Sequence, residues 1–132
     1  MKGGKKILLI EDDLATIEVY ETIFKKAGFE VEVIKWGEEA LNRVKEIEEN
    51  KFPKPDVVLL DLILPDINGI EVLKEIRKNE KTKDLLVFIL TNYTDVQLEK
   101  MGYSLGSERY LLKTDYTPSQ LIEIIEKSLK RK

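Results

Sequence analysis

Residues 57–69 read Val57-Val-Leu-Leu-Asp61-Leu-Ile-Leu-Pro65-Asp-Ile-Asn-Gly69. Consecutive apolar strand-formers without alternation describe a strand buried on both faces, the habit of a parallel sheet. Pro65 and Gly69 then punctuate a loop before the next helical pattern. Asp61 interrupts the aliphatic run where a structural residue would be another aliphatic. Burying an unpaired carboxylate costs on the order of several kcal/mol, so this position points to chemistry rather than packing.

The pattern repeats on both sides of this stretch. Strand-like runs occupy 6–10, 31–34, 57–60, 86–90 and 110–112, and only 31–34 alternates, as an edge strand would. Between them, Ile17, Tyr20, Phe24 and Ala27 recur at helical spacing and stop at Gly28. A second helix is expected over 38–49 with Ala40, Leu41, Val44 and Ile47 inward, and a third over 70–78 with Val72, Leu73 and Ile76 inward. The fourth, over 95–105, is interrupted by Gly102. The fifth opens with Thr117 as N-cap and Pro118 in its first turn, and closes on Lys127, Lys130, Arg131 and Lys132, which complement the helix dipole. Its Leu121, Ile122, Ile124, Ile125 and Leu129 form a wide apolar face, read as a packed core helix before a dimer surface.

Five strand–helix units imply an α/β fold, a doubly wound (βα)5 parallel sheet with helices on both faces. One domain is expected over 1–132, with its core at about 5–131, and Lys51-Phe-Pro-Lys-Pro55 is a loop within it.

Composition narrows the chemistry. The chain has no Cys and no His, which removes thiol, imidazole and zinc-finger chemistry and leaves carboxylates, hydroxyls, amines and backbone. Its 22 Lys and Arg nearly balance 25 Asp and Glu, for a net charge of −3. No global basic footprint for nucleic acid exists, and the only basic cluster reads as a helix end. The longest apolar run, Leu85 to Leu90, is far short of a membrane span, and the first residues lack a signal-peptide pattern. A cytoplasmic protein without membrane contact is expected.

Ligands of open parallel sheets bind beyond the carboxyl ends of the strands. There Glu11, Asp12 and Asp13 follow the first strand, Asp61 ends the third, Thr91 and Asn92 follow the fourth, and Lys113 follows the fifth. Asp66 lies in the loop after the third. Crowded carboxylates repel unless a cation sits among them, and an all-oxygen set suits a hard ion such as Mg²⁺. With one Lys and one Thr hydroxyl, the rim has the parts that hold a phosphoryl group. Asp13 by itself reads as the cap of the first helix, and Asp66 as a turn residue beside Pro65.

The segments Ile7-Leu-Leu-Ile-Glu11-Asp12-Asp13, Pro55 through Glu71, Leu90-Thr91 and Tyr110-Leu-Leu-Lys113, supported by Gly37-Glu-Glu-Ala-Leu41, resemble the receiver domain of two-component response regulators from about Lys5 onward. The resemblance implies a flavodoxin-like sheet in the order 2-1-3-4-5. It implies a signalling phosphoacceptor rather than a turnover enzyme. Asp61 would take a phosphoryl group from the phosphohistidine of a sensor histidine kinase or phosphotransfer protein. Mg²⁺ would be held by Asp12, Asp61 and the backbone carbonyl of Ile63, with Glu11 reaching it through water. Lys113 and Thr91 would contact phosphoryl oxygens, Thr91 and Tyr110 would form the switch, and the face of the fourth helix, fifth strand and fifth helix would carry the signal to an unknown downstream protein. Asp13 and Asn92 are further candidates at the site. A stand-alone receiver, monomeric or weakly dimeric, is expected, acting as a chemotaxis-type regulator or phosphorelay intermediate would; an effector could follow Lys132 in a longer product.

The chain departs from the family pattern in places. Thr114 stands where a proline with a preceding cis bond is usual, so a trans peptide or a strained loop is expected. Asn92 replaces a small residue. Ile63 and Tyr93, at the positions that tune hydrolysis in the family, orient an attacking water poorly, which predicts slow self-dephosphorylation. Two other functions compete. A haloacid-dehalogenase-type Mg²⁺-dependent phosphatase would want an Asp where Ile63 stands. A receiver-like interaction module independent of phosphorylation would not need Asp12, Asp61, Thr91 and Lys113 together, although Thr114 and Asn92 keep it in view.

Overall fold

In a computed structural model that describes residues 4–131, five parallel strands form one sheet in the order β2-β1-β3-β4-β5. The strands are β1 (Lys6–Ile10), β2 (Glu30–Ile34), β3 (Val57–Leu60), β4 (Leu86–Thr91) and β5 (Arg109–Leu112). The helices are α1 (Leu14–Lys26), α2 (Gly37–Glu48), α3 (Gly69–Lys78), α4 (Val96–Ser104) and α5 (Pro118–Lys130), with a 3-10 turn at Lys113–Asp115. Residues 1–3 and Lys132, the last of the basic residues expected at the end of α5, lie outside the described residues.

Alternate side chains of each central strand enter two separate cores, because the strand repeat is two residues. Leu8, Ile10, Val58, Leu60, Val87 and Ile89 meet Ala40 and Val44 of α2 and Val72, Leu73 and Ile76 of α3. On the other face Ile7, Leu9, Val57, Leu59 and Phe88 meet Ile17, Tyr20 and Phe24 of α1 and Leu121 and Ile125 of α5. This is why β3 is apolar at every position. Ile122, Ile124 and Leu129 of α5 are partly buried against the second core, as expected of a packed helix.

Three expectations change. Thr91 is the fully buried last residue of β4 rather than a loop residue. Gly102 does not break α4; a Cβ there would strike the Ile89 side chain, so its absence lets the helix approach the sheet closely. Asp66 leaves the rim, as described below. Gly28 ends α1 with φ 98°, a conformation glycine adopts without strain. No cis peptide occurs among the described residues, so Lys113–Thr114 is trans. No helix among them is long and apolar enough to cross a membrane.

Candidate functional site

The sheet order reverses between β1 and β3, and the chain beyond their carboxyl ends carries Glu11 and Asp61. Both are buried, Glu11 at 2% and Asp61 at 7% exposure. The ammonium of Lys113, arriving from β5, lies between them: it pairs with Glu11 and reaches Asp61 Oδ2 at 3.1 Å. Asp12 is exposed beside them, and the carboxylates of Glu11, Asp12 and Asp61 each offer an oxygen within 4.8 Å of the others. They line a cavity of about 430 Å³ together with Asp13, Thr16, Ile63, Thr91, Asn92, Tyr93 and Lys113.

The charges hold one another in place. Burial raises the Glu11 carboxyl above the ordinary glutamate value, against the pull of Lys113 and of the Asp13 N–H that donates to it at 3.0 Å. Burial lowers the Lys113 ammonium, but the hydrogen bond it donates to Glu11 and the charges of Asp61 and Glu11 outweigh it, and its pKa ends above the usual lysine value. Lys113 is thus a fixed cation in a site with an excess of carboxylate.

All of the expected site residues border this cavity except Tyr110. The Thr91 hydroxyl accepts from the Tyr93 N–H at 3.2 Å. Asp13 turns its carboxylate to α1, where it accepts from the Thr16 N–H at 2.9 Å and the Thr16 hydroxyl at 2.6 Å. The Thr16 hydroxyl, foremost, holds its pKa below the ordinary value. Asn92 and Ile63 are exposed at the mouth, and the Ile63 N–H donates to Asp61 Oδ1 at 3.1 Å. Tyr110 sits outside, its hydroxyl donating to the Tyr93 carbonyl at 2.5 Å. The direct Glu11–Lys113 pair and the anchoring of Tyr110 on the Tyr93 carbonyl were not foreseen from the sequence; neither has a local signal, because each joins segments remote in the chain.

Of the five carboxylates expected to crowd the rim, Asp13 and Asp66 are engaged elsewhere. Asp66 accepts from the N–H groups of Gly37 and Glu38, each at 2.8 Å, at the start of α2. The remaining three fit one hard divalent ion in number, chemistry and spacing. A second cavity of about 460 Å³, lined by Arg77, Lys83, Asp84 and Glu108, lies at the amino ends of β4 and β5. There the Arg77 guanidinium is occupied by four backbone carbonyls, which makes that region structural.

Comparison with known proteins agrees with this geometry. The family model for the response regulator receiver domain matches residues 7–126. A DNA-binding response regulator, MtrA of Mycobacterium tuberculosis, is 32% identical over 127 residues, covering 96% of this chain and 51% of that protein. The chain thus spans about half the length of that curated relative. A CheY-like receiver domain protein from Methanospirillum hungatei superimposes with a TM-score of 0.84 at 27% identity, covering 97% of this chain and 95% of the other. The Mn²⁺-bound form of the response regulator Rcp1 superimposes at 0.78 with 30% identity, covering 91% and 88%.

Proposed function

The chain belongs to the response regulator receiver domain family, and from that premise we propose that Asp61 is its phosphoacceptor. Receivers take phosphoryl groups from histidine kinases or phosphotransfer proteins. On this reading an Asp61 carboxylate oxygen attacks the phosphorus of a partner's phosphohistidine, the P–N bond breaks, and its electron pair leaves with the imidazole, which takes up a proton. An acyl phosphate on Asp61 results. Cytoplasmic placement follows, because the phosphodonors act there.

The observation that carries the proposal is the position of the Lys113 ammonium, 3.1 Å from Asp61 Oδ2 and paired with Glu11 inside one cavity. A fixed cation beside the attacking oxygen stabilises the charge of the incoming phosphoryl oxygens. Thr91, which lines that cavity, would supply its hydroxyl as a donor to one of them. Asp12, Asp61 and the Ile63 carbonyl would hold Mg²⁺, with Glu11 reaching it through water; the ion supplies neutralisation of phosphoryl charge when bound. The Mn²⁺-bound neighbour supports a divalent ion in this setting.

Intact mass after incubation with acetyl phosphate tests the reading, with and without Mg²⁺, on wild type and Asp61→Asn. A Mg²⁺-dependent phosphoryl adduct in wild type alone is expected. The same adduct in Asp61→Asn would overturn the assignment.

A further inference from the structure

α1, α3, α4 and α5 are each capped by the side chain of their own N-cap residue, respectively Asp13, Asn68, Asp95 and Thr117. α2 has Trp36 at that position, which offers no oxygen. Its cap comes instead from Asp66, remote in sequence and in the loop that leaves Asp61. Asp66 Oδ1 accepts from Gly37 N–H at 2.8 Å and from Ile67 N–H at 3.1 Å, and Oδ2 accepts from Glu38 N–H at 2.8 Å.

The loop carrying Asp66 is tied at both ends. At the cavity end, the Ile63 N–H donates to Asp61, Ile63 pairs with Asn68 in an antiparallel bridge, and the Gly69 N–H donates to the Leu62 carbonyl at 2.7 Å. At the far end, Ile67 lies so close to Gly37 that a Cβ on Gly37 would strike its side chain and stand 3.2 Å from Asp66 Oδ1. The segment from Asp61 to Gly69 is thus a short strut between the carboxylate cavity and the first turn of α2.

We propose that Asp66 is a positioning residue for the divalent-cation site: by clamping the strut to α2 it holds Ile63 and Asp61 in place, and it couples cation binding to the start of α2. The inference rests on reading the cavity as a cation site. Replacing a residue that orients metal ligands from outside the ligand set commonly costs about 10- to 100-fold in affinity, and coupling between two places is reciprocal.

The chain carries its own reporter, since Trp36 is its single tryptophan, is half-exposed and directly precedes the clamped amides. The test uses Mn²⁺ binding by electron paramagnetic resonance and Trp36 emission during Mg²⁺ titration, on the full chain. Wild type should bind Mn²⁺, and its Trp36 emission should change on Mg²⁺ addition. Asp66→Ala should weaken Mn²⁺ binding about tenfold and abolish the Trp36 response. Asp66→Asn, which keeps one acceptor oxygen, should recover part of both. Gly37→Ala, which keeps the Asp66 carboxylate but displaces Ile67 against it, should weaken binding in the same direction. Thr117→Ala removes the equivalent cap of α5 and should leave both readouts unchanged, which separates positioning from loss of helix stability. Unchanged affinity in both Asp66→Ala and Gly37→Ala overturns the inference alone, as does a silent Trp36 in a wild type that binds Mn²⁺. A wild type that binds no Mn²⁺ overturns the cation-site reading and the inference with it.

Discussion

The Tyr110 hydroxyl donates to the backbone carbonyl of Tyr93 at 2.5 Å. Tyr93 in turn donates its N–H to the Thr91 hydroxyl at 3.2 Å, and Thr91 borders the carboxylate cavity. A single residue therefore joins the buried site to a half-buried aromatic on β5. On the proposed chemistry, a Thr91 hydroxyl drawn to a phosphoryl oxygen turns away from the Tyr93 N–H and disturbs the carbonyl that anchors Tyr110. On that proposal the signal would be a shift between two arrangements of the β4–α4 loop, biased by one hydroxyl.

Tyr110 should be identifiable by its titration. Burial first, then the charges of Glu99 and Asp95, push its phenol up to about 12. Because the folded value is raised above the ordinary value of about 10, the stabilisation is fully present below about pH 10 and is lost as pH rises toward 12. Ultraviolet absorbance should show a tyrosinate forming at about pH 12 in folded wild type, and that step should be missing in Tyr110→Phe. Persistence of the step in Tyr110→Phe would assign it to another phenol.

Removing Lys113 should expose how much the site depends on a cation. Lys113→Met leaves Glu11 and Asp61 buried without their counter-charge, and breaking such an arrangement costs about 3 kcal/mol, on the order of 10 °C in Tm. The Glu11 carboxyl already lies above its ordinary value, chiefly through burial. A carboxyl with a raised folded pKa favours folding below its unfolded value of about 4.3, and that help is lost as pH climbs through the folded value. Loss of Lys113 raises it further, so the deficit should be larger near pH 8 than near pH 5. Mg²⁺ should raise Tm more in Lys113→Met than in wild type. Thermal unfolding at the two pH values, with and without Mg²⁺, reads all three effects.

The strand–helix alternation was legible because the three central strands are buried on both faces, as in Val57–Leu60, and most helices carry one clear apolar stripe, as in Ile17, Tyr20 and Phe24. Asp61 was legible for the opposite reason, as a charge where packing would choose an aliphatic. What the sequence concealed are relations between remote segments. Asp66 looked like a turn residue, yet it caps a helix that begins 29 residues earlier in the chain; the one hint was that Trp36, at the start of α2, offers no capping oxygen. Gly102 looked like a helix breaker because propensity alone cannot show that Ile89 requires the missing Cβ.

Arg77 holds the opposite end of the sheet and should matter to stability without touching the site. Its guanidinium donates to the carbonyls of Leu105 at 2.6 Å, Lys83 and Leu85 at 2.9 Å, and Gly106 at 3.0 Å, tying the end of α4 to the start of β4. A lysine cannot reproduce that fork. Arg77→Lys should lower stability by about 2 kcal/mol and speed amide exchange at Gly106 and Ser107. Mn²⁺ affinity should be unchanged, and a large loss of it would show that Arg77 reaches the site.

The lifetime of the phosphoryl group should be set by what is missing at the mouth of the cavity. Hydrolysis needs a water aligned opposite the acyl oxygen and relieved of a proton, and Ile63 and Tyr93, both exposed there, present no side-chain amide or carboxylate to do this. The Tyr93 backbone is already committed, its N–H to Thr91 and its carbonyl to Tyr110. Purified phosphorylated protein should therefore lose its adduct over minutes or longer, followed by intact mass after acetyl phosphate is removed. Ile63→Asn places an amide at the mouth and should shorten the lifetime by about tenfold or more, because positioning a water for attack is worth at least that. Ile63→Val, which alters bulk but adds no polar group, should leave it nearly unchanged. A wild-type lifetime of seconds would mean that a group other than these two orients the water, and Asn92, exposed on the same rim, would be the next residue to replace.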